Sequence, residues 1–108
     1  MKTKRILLVL LVGLAILQSV AVVSAQSGAP LAITMPVEGP IVQPMLDYIN
    51  RGIRTAEQLD AEVLVIELNT PGGNVGTMLE IIEAMGNSRV PVVVYVSPRD
   101  AQAASAGA

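Results

Sequence analysis

The sequence lacks several residue types on which small exported domains and common active sites depend. Its 108 residues include no cysteine, histidine, tryptophan or phenylalanine. Without cysteine, the chain is not a secreted module held together by disulfide bonds. Without histidine, it has no serine–histidine catalytic pair. Two tyrosines are its only aromatic residues, which argues against a platform that stacks nucleic-acid bases or sugars.

Positive charge is also scarce beyond the first few residues. Lys2, Lys4 and Arg5 are three of the seven basic residues, and no lysine follows them. Residues 26–108 therefore carry four arginines against nine acidic residues, a net charge of −5. This balance argues against nucleic acid as a partner.

The N-terminus has the three-part organisation of a secretory signal. A basic start is followed by an apolar run over residues 6–23, and Val23 and Ala25 suit a small-residue cleavage site. We therefore expect residues 1–25 to be a signal peptide and residues 26–30 a linker. The alternative is an uncleaved membrane anchor, because the run approaches the length that spans a bilayer. Both interpretations place the rest of the chain on the extracytoplasmic side of the cell membrane.

Strand-like and helix-like segments alternate from residue 31 onwards. Apolar residues at helical spacing predict one helix from Pro44 and another around Met78–Met85, and a third helix is predicted to begin within residues 101–108. This order predicts an α/β fold with a parallel sheet, and the middle apolar run predicts a strand buried on both faces. Three apolar runs predict strands: Leu31–Val37, Val63–Leu68 and Val90–Val96.

Two segments follow strands, where parallel α/β folds form their sites. The first is "NTPGGN" (Asn69–Asn74), whose paired glycines let the backbone approach a bound group closely. An amide at the start of the next helix can face a developing negative charge, as an oxyanion hole requires. Taken alone, this loop is more typical of an ordinary strand-to-helix turn. It is not a phosphate-binding P-loop, because no lysine follows its glycines.

The second segment is "AASAGA" (Ala103–Ala108), in which very small side chains surround Ser105. Little would crowd the serine hydroxyl there, and the amide of Ala106 can supply a second oxyanion donor. Taken alone, a capping serine at an alanine-rich helix start is the simpler interpretation, and the G-x-S-x-G motif is absent. Nearby, Asp100 is interpreted as a turn or helix-capping residue and Arg99 as surface charge.

Together the two segments resemble the ClpP/crotonase superfamily. More narrowly, the chain is similar to the membrane-bound, ClpP-class serine proteases of the NfeD long-form family. The resemblance covers nearly all of residues 33–108. The matching stretches are "YINRGIRTAE" (Tyr48–Glu57), "VLVIELNTPGGNVGTMLEI" (Val63–Ile81), "SRVPVVVYVSP" (Ser88–Pro98) and "AASAGA" (Ala103–Ala108).

The resemblance implies a role for each of four residues. Ser105 matches the nucleophile, the amides of Gly73 and Ala106 match the oxyanion hole, and Gly72 shapes the same loop. The general base of the family is a lysine beyond the nucleophile helix, a position that this sequence does not include. We therefore expect residues 31–108 to be the N-terminal portion of a ClpP-like protease domain, ending just after the nucleophile and inactive alone.

The implied function is that of a membrane-associated serine endopeptidase of the Ser–Lys type, which uses no metal or cofactor. Its expected substrates are hydrophobic segments of membrane-associated proteins, with a stomatin-type membrane protein as partner, and the complete protein is expected to be a homo-oligomer. Three alternatives stay open: a non-catalytic scaffold with the ClpP fold, a signal-peptide-peptidase-like protease, and a crotonase-type acyl-CoA enzyme. The export signal argues against the last, because acyl-CoA is cytoplasmic.

Overall fold

The computed structural model describes residues 1–18 and 28–108. Helix α1 spans Lys2–Gln18, and the side chains of residues 2–14 are all exposed. In the described part of the chain, no helix combines the length and apolar character needed to cross a membrane. The proposed cleavage site at Val23–Ala25 lies outside the described residues.

Three parallel strands form one sheet in the order β1-β2-β3. They are β1 (Ala32–Glu38), β2 (Val63–Asn69) and β3 (Val92–Val96). Helix α2 (Gln43–Gln58) connects β1 to β2, and helix α3 (Val75–Gly86) connects β2 to β3. The α/β fold with a parallel sheet is therefore confirmed, and the strand boundaries differ from the predicted ones by two residues at most.

The core lies between the two helices and one face of the sheet. Leu64 and Ile66 of β2 are almost completely buried, with exposed fractions of 0% and 2%. Burying a side chain of this size contributes about 1.5–3 kcal/mol. On α2 the predicted helical spacing coincides with the buried side, which presents Met45, Leu46, Ile49, Ile53 and Ala56.

The other face of the sheet is less covered than the sequence predicted. Val63, Val65 and Glu67 of β2 are half-buried, and on β3 the side chains of Val93 and Tyr95 are exposed. Right-handed crossovers that proceed in one direction along a sheet place their helices on the same face. Burial of β2 on both faces was therefore a wrong prediction for the described residues.

The end of the chain also differs from its prediction. After β3 the chain turns through Arg99–Asp100, and Ala103 then forms an isolated parallel bridge with Thr70. This pairing keeps the backbone extended, so a helix cannot begin before Ser105. Only Ser105–Gly107 is helical, as a single 3₁₀ turn, in place of the predicted α-helix.

Candidate active site

The glycine loop that follows β2 is anchored to the start of α2. The backbone N–H of Ile41 donates to the carbonyl of Gly72 at 2.9 Å, and Asn74 N–H donates to the carbonyl of Ile41 at 2.8 Å. Gly72 has φ +103°, in the region that favours glycine. The two hydrogen bonds of Ile41 therefore fix the path of the loop, and Gly72 allows the positive φ that this path requires.

The amide of Gly73 points away from Ile41. Gly73 and Ile41 form a parallel bridge, in which Ile41 bonds to the residues on either side of Gly73 and not to Gly73 itself. Among residues 28–108, no acceptor receives a hydrogen bond from this amide. A Cβ at Gly73 would overlap the backbone of Ile41, with its carbonyl carbon at 2.8 Å. Only glycine fits here without moving that backbone.

A second loop, which precedes Ser105, pairs with the first. Thr70 N–H donates to the carbonyl of Gln102 at 2.7 Å, and Ala104 N–H donates to the carbonyl of Thr70 at 3.1 Å. The Asn69 side chain adds a bond, because its Oδ1 accepts from Gln102 N–H at 3.2 Å. These bonds join the segments that follow β2 and β3.

Ser105 has an uncommon backbone conformation. It is the first residue of the 3₁₀ turn, it is exposed, and its φ is +52°. The capping position belongs to Ala104, so the interpretation of Ser105 as a helix cap is wrong. A left-handed conformation at a non-glycine residue costs on the order of 1–3 kcal/mol and is concentrated at functional sites. The following amide, Ala106 N–H, has no hydrogen-bond acceptor within the described ranges.

Gly72 lies directly against Ser105. A Cβ placed on Gly72 would be 2.7 Å from the Cβ of Ser105, 2.8 Å from the carbonyl oxygen of Ala104 and 3.3 Å from Ser105 Oγ. Gly73 follows Gly72 in the chain, and Ala106 follows Ser105. All four residues singled out in the sequence therefore meet at the carboxyl end of the sheet.

The charged residues near Ser105 are exposed. Arg99 and Asp100 are both in the turn after β3, and Asp100 has φ +75°. Asp100 is thus a turn residue and caps no helix. In the part of the chain that the structure describes, no three histidine, cysteine, aspartate or glutamate side chains form a group that could hold a metal ion.

An apolar cavity of about 290 Å³ opens beside Ala106. The core side of the sheet and both core helices line it, with Ile41, Leu68, Met78 and Val94 among its walls. An apolar side chain of a peptide has the chemistry that suits such walls.

Sequence reasoning did not identify Thr70 and Ile41 as parts of this site. The signal for Thr70 was present, because a threonine two residues before a glycine forms a local turn through its hydroxyl. Thr70 Oγ1 indeed accepts from Gly72 N–H at 3.1 Å. Nothing local indicates Ile41, whose role depends on pairing with residues more than thirty positions away.

The chain matches a known protein family over most of its length. The model of the NfeD1b N-terminal domain matches residues 32–108 of the chain. The chain belongs to this family. The predicted resemblance to NfeD proteins, which was based on residues 33–108, is thereby confirmed.

The relatives of this NfeD-family chain include proteins that are named as proteases. Membrane-bound protease PH1510 of Pyrococcus horikoshii is 44% identical over 71 residues, which are 66% of this chain and 16% of that protein. The chain also resembles two solved structures of the 1510-N membrane-bound stomatin-specific protease, both with a TM-score of 0.73. One is a serine-to-alanine mutant, 38% identical, and the match covers 74% of this chain and 39% of that one. The other is a lysine-to-alanine mutant in complex with a substrate peptide, 39% identical, with 74% and 36% covered.

The chain therefore spans less than half the length of each of these relatives. Within that span it has the fold of the protease domain, and its resemblance to serine proteases is confirmed.

Proposed function

We propose that residues 31–108 form the nucleophile-bearing part of a membrane-associated serine endopeptidase, with Ser105 as the nucleophile. The observation that carries this proposal is the contact between Gly72 and Ser105. It brings an exposed serine with a left-handed backbone next to the amide of Gly73, which has no acceptor among the described residues. A nucleophile beside unpaired amides is the arrangement that acyl transfer requires.

In this proposal Ser105 Oγ attacks the carbonyl carbon of the scissile peptide bond. The serine proton passes to a lysine base outside this sequence and then to the departing amine, leaving an acyl-enzyme that water hydrolyses. The amides of Gly73 and Ala106 donate to the oxygen that becomes negative in each tetrahedral intermediate. Residues 31–108 contribute the nucleophile and both donors, and Gly72 provides the close approach between them.

The substrate that we propose is a hydrophobic segment of a membrane-associated protein, of the stomatin type. The apolar cavity beside Ala106 supports this choice, and the similar 1510-N protease is named as stomatin-specific. We further propose that residues 1–25 direct export or anchor the protein, and that the complete protein is a homo-oligomer on the extracytoplasmic side. N-terminal sequencing of the membrane-bound and soluble protein tests the export step: Gln26 as first residue supports cleavage, and Met1 retained in the cytoplasm contradicts export.

The test of catalysis uses the full-length protein that contains this chain. Wild type, Ser105→Ala and Gly73→Val are compared on fluorogenic peptides that represent the hydrophobic segment of a stomatin homologue. Ser105→Ala should abolish cleavage, and Gly73→Val should lower kcat by roughly 10²–10³-fold through displacement of one oxyanion donor. Gly28→Val is the matched control, because a Cβ at Gly28 meets no atom within 4 Å. If Ser105→Ala cleaves as fast as wild type, the nucleophile assignment is wrong and the scaffold function replaces it.

A further inference from the structure

We infer that Thr70 is a positioning residue, which orients the oxyanion donor at Gly73 and sets its distance from Ser105. The inference rests on the proposed function, because it concerns how that site is built. Thr70 has an exposed fraction of 0%, so water does not reach its hydroxyl. Its hydroxyl and its backbone bond to different loops, and each set of bonds fixes one half of the site.

The hydroxyl acts on the peptide group that contains the proposed donor. Thr70 Oγ1 donates to the carbonyl oxygen of Gly72 at 3.4 Å, and Ile41 N–H donates to the same oxygen at 2.9 Å. The peptide bond between Gly72 and Gly73 is trans, so its N–H points opposite to its C=O. Two donors that hold the carbonyl of Gly72 therefore also hold the N–H of Gly73 in the opposite direction.

The same bonds strengthen the donor. A hydrogen bond accepted by a peptide carbonyl polarises the peptide group and makes its N–H a better donor. Thr70 Oγ1 also accepts from Gly72 N–H at 3.1 Å, which fixes the preceding peptide group. One hydroxyl thus constrains both peptide groups that flank Gly72.

The backbone of Thr70 acts on the nucleophile segment. It bonds to Gln102 and Ala104, as described above, and its methyl group Cγ2 occupies the space that a side chain at Gly107 would need. Gly107 closes the 3₁₀ turn by donating to Ala104 at 2.9 Å. Thr70 therefore contacts the turn that carries Ser105 while its hydroxyl orients Gly73.

Two substitutions separate the hydroxyl from the rest of the side chain. Thr70→Val keeps the shape and removes the hydroxyl, whereas Thr70→Ser keeps the hydroxyl and removes the methyl group. The matched control is Thr77→Val on α3, a second buried threonine, with an exposed fraction of 9%. Its hydroxyl donates to Asn74 Oδ1 at 3.4 Å and makes no hydrogen bond to Gly72 or Ser105.

The experiment measures kcat and KM for these three variants of the full-length protein on the peptides described above. Thr70→Val should lower kcat roughly 10- to 100-fold, less than complete loss of a donor, with KM changed by about twofold or less. Thr70→Ser should restore kcat to within about threefold of wild type even if it lowers the melting temperature. Thr77→Val should leave both constants close to wild type. Equal kcat in Thr70→Val and Thr77→Val would overturn the inference.

If Ser105→Ala cleaves as fast as wild type, the proposed function is wrong, whatever the Thr70 variants do. In that case the positioning role is read from the amide resonances of ¹⁵N-labelled protein. Thr70→Val should shift the Gly73 N–H resonance and speed exchange of the Gly72 N–H by about tenfold or more, since that amide loses its acceptor. Thr70→Ser should reverse both changes. Wild-type resonances and exchange in Thr70→Val would refute the positioning role.

Discussion

At the scale of single residues, Gly72 combines a positive φ with a close contact to the proposed nucleophile. Its φ of +103° disfavours any side chain, and a Cβ would lie 2.7 Å from Ser105 Cβ. We predict that Gly72→Ala destabilises the complete protein by about 1–3 kcal/mol. It should also lower kcat/KM at least about tenfold, because Ser105 must move. Urea unfolding and peptide cleavage measure the two effects.

Gly86 offers the matched control for this substitution. It ends α3, has no positive φ, and a Cβ there meets no atom within 4 Å. Gly86→Ala should therefore be neutral, or stabilising by up to about 1 kcal/mol, with unchanged cleavage. If Gly72→Ala behaves like Gly86→Ala in both measurements, the close contact between Gly72 and Ser105 is not a feature of the folded protein.

The residues of the site differ in how far the sequence could predict them. Small residues after two strands are a local pattern, which points to the segments that contain Gly72, Gly73, Ser105 and Ala106. The role of each of these residues is implied by the resemblance to the NfeD-family proteases and not by that pattern. The left-handed backbone of Ser105 left no such signal. Ser105 follows residues that pair with Thr70, a contact that no local pattern encodes.

At the scale of elements, α3 begins with a side-chain cap at Asn74. Asn74 Oδ1 accepts from Thr77 N–H at 2.9 Å, which satisfies one of the free amides of the first turn. We predict that Asn74→Ala lowers the free energy of unfolding by about 1 kcal/mol, while Asn74→Ser loses only a few tenths. Asn87→Ala at the other end of α3 is the control, expected within about 0.5 kcal/mol of wild type. Chemical denaturation of the complete protein measures all three, and equal losses for Asn74→Ala and Asn87→Ala would contradict the cap.

The elements themselves were predictable wherever periodicity decides them. The buried side of α2 and the apolar run of β2 produce strong local signals, and both elements form where they were predicted. The α-helix predicted to begin after Asp100 does not form there. Thr70 N–H donates to the carbonyl of Gln102, and Ala104 N–H donates to the carbonyl of Thr70, so these residues are extended despite the helical preference of alanine. The prediction that β2 is buried on both faces was wrong because it considered only the strand's own apolar residues. The direction of successive crossovers, which the local pattern does not encode, decides which face of the sheet the helices cover.

At the scale of the whole molecule, one face of the sheet remains open within the described ranges. Its most exposed apolar side chain on β3 is Tyr95, at 60%, followed by Val93, at 48%. Strand β3 pairs only with β2 and is an edge of the described sheet. An open apolar face beside an unpaired edge favours association between chains.

We predict that residues 26–108, produced alone, associate through this open face and edge. Sedimentation velocity over a concentration series should show oligomers, and Tyr95→Lys should raise the concentration at half-association about tenfold, or 1.4 kcal/mol. A lysine on an edge strand opposes pairing with a second chain, because its charge would have to be buried. Leu79→Lys is the matched control, since Leu79 lies on α3 with 57% exposed, a fraction similar to that of Tyr95. Removing exposed apolar surface from the helix should change association by less than about threefold, because it leaves the edge of the sheet intact. Equal effects of the two lysines would show that association follows general surface hydrophobicity, and a monomer at every concentration would show that the open face does not associate at all.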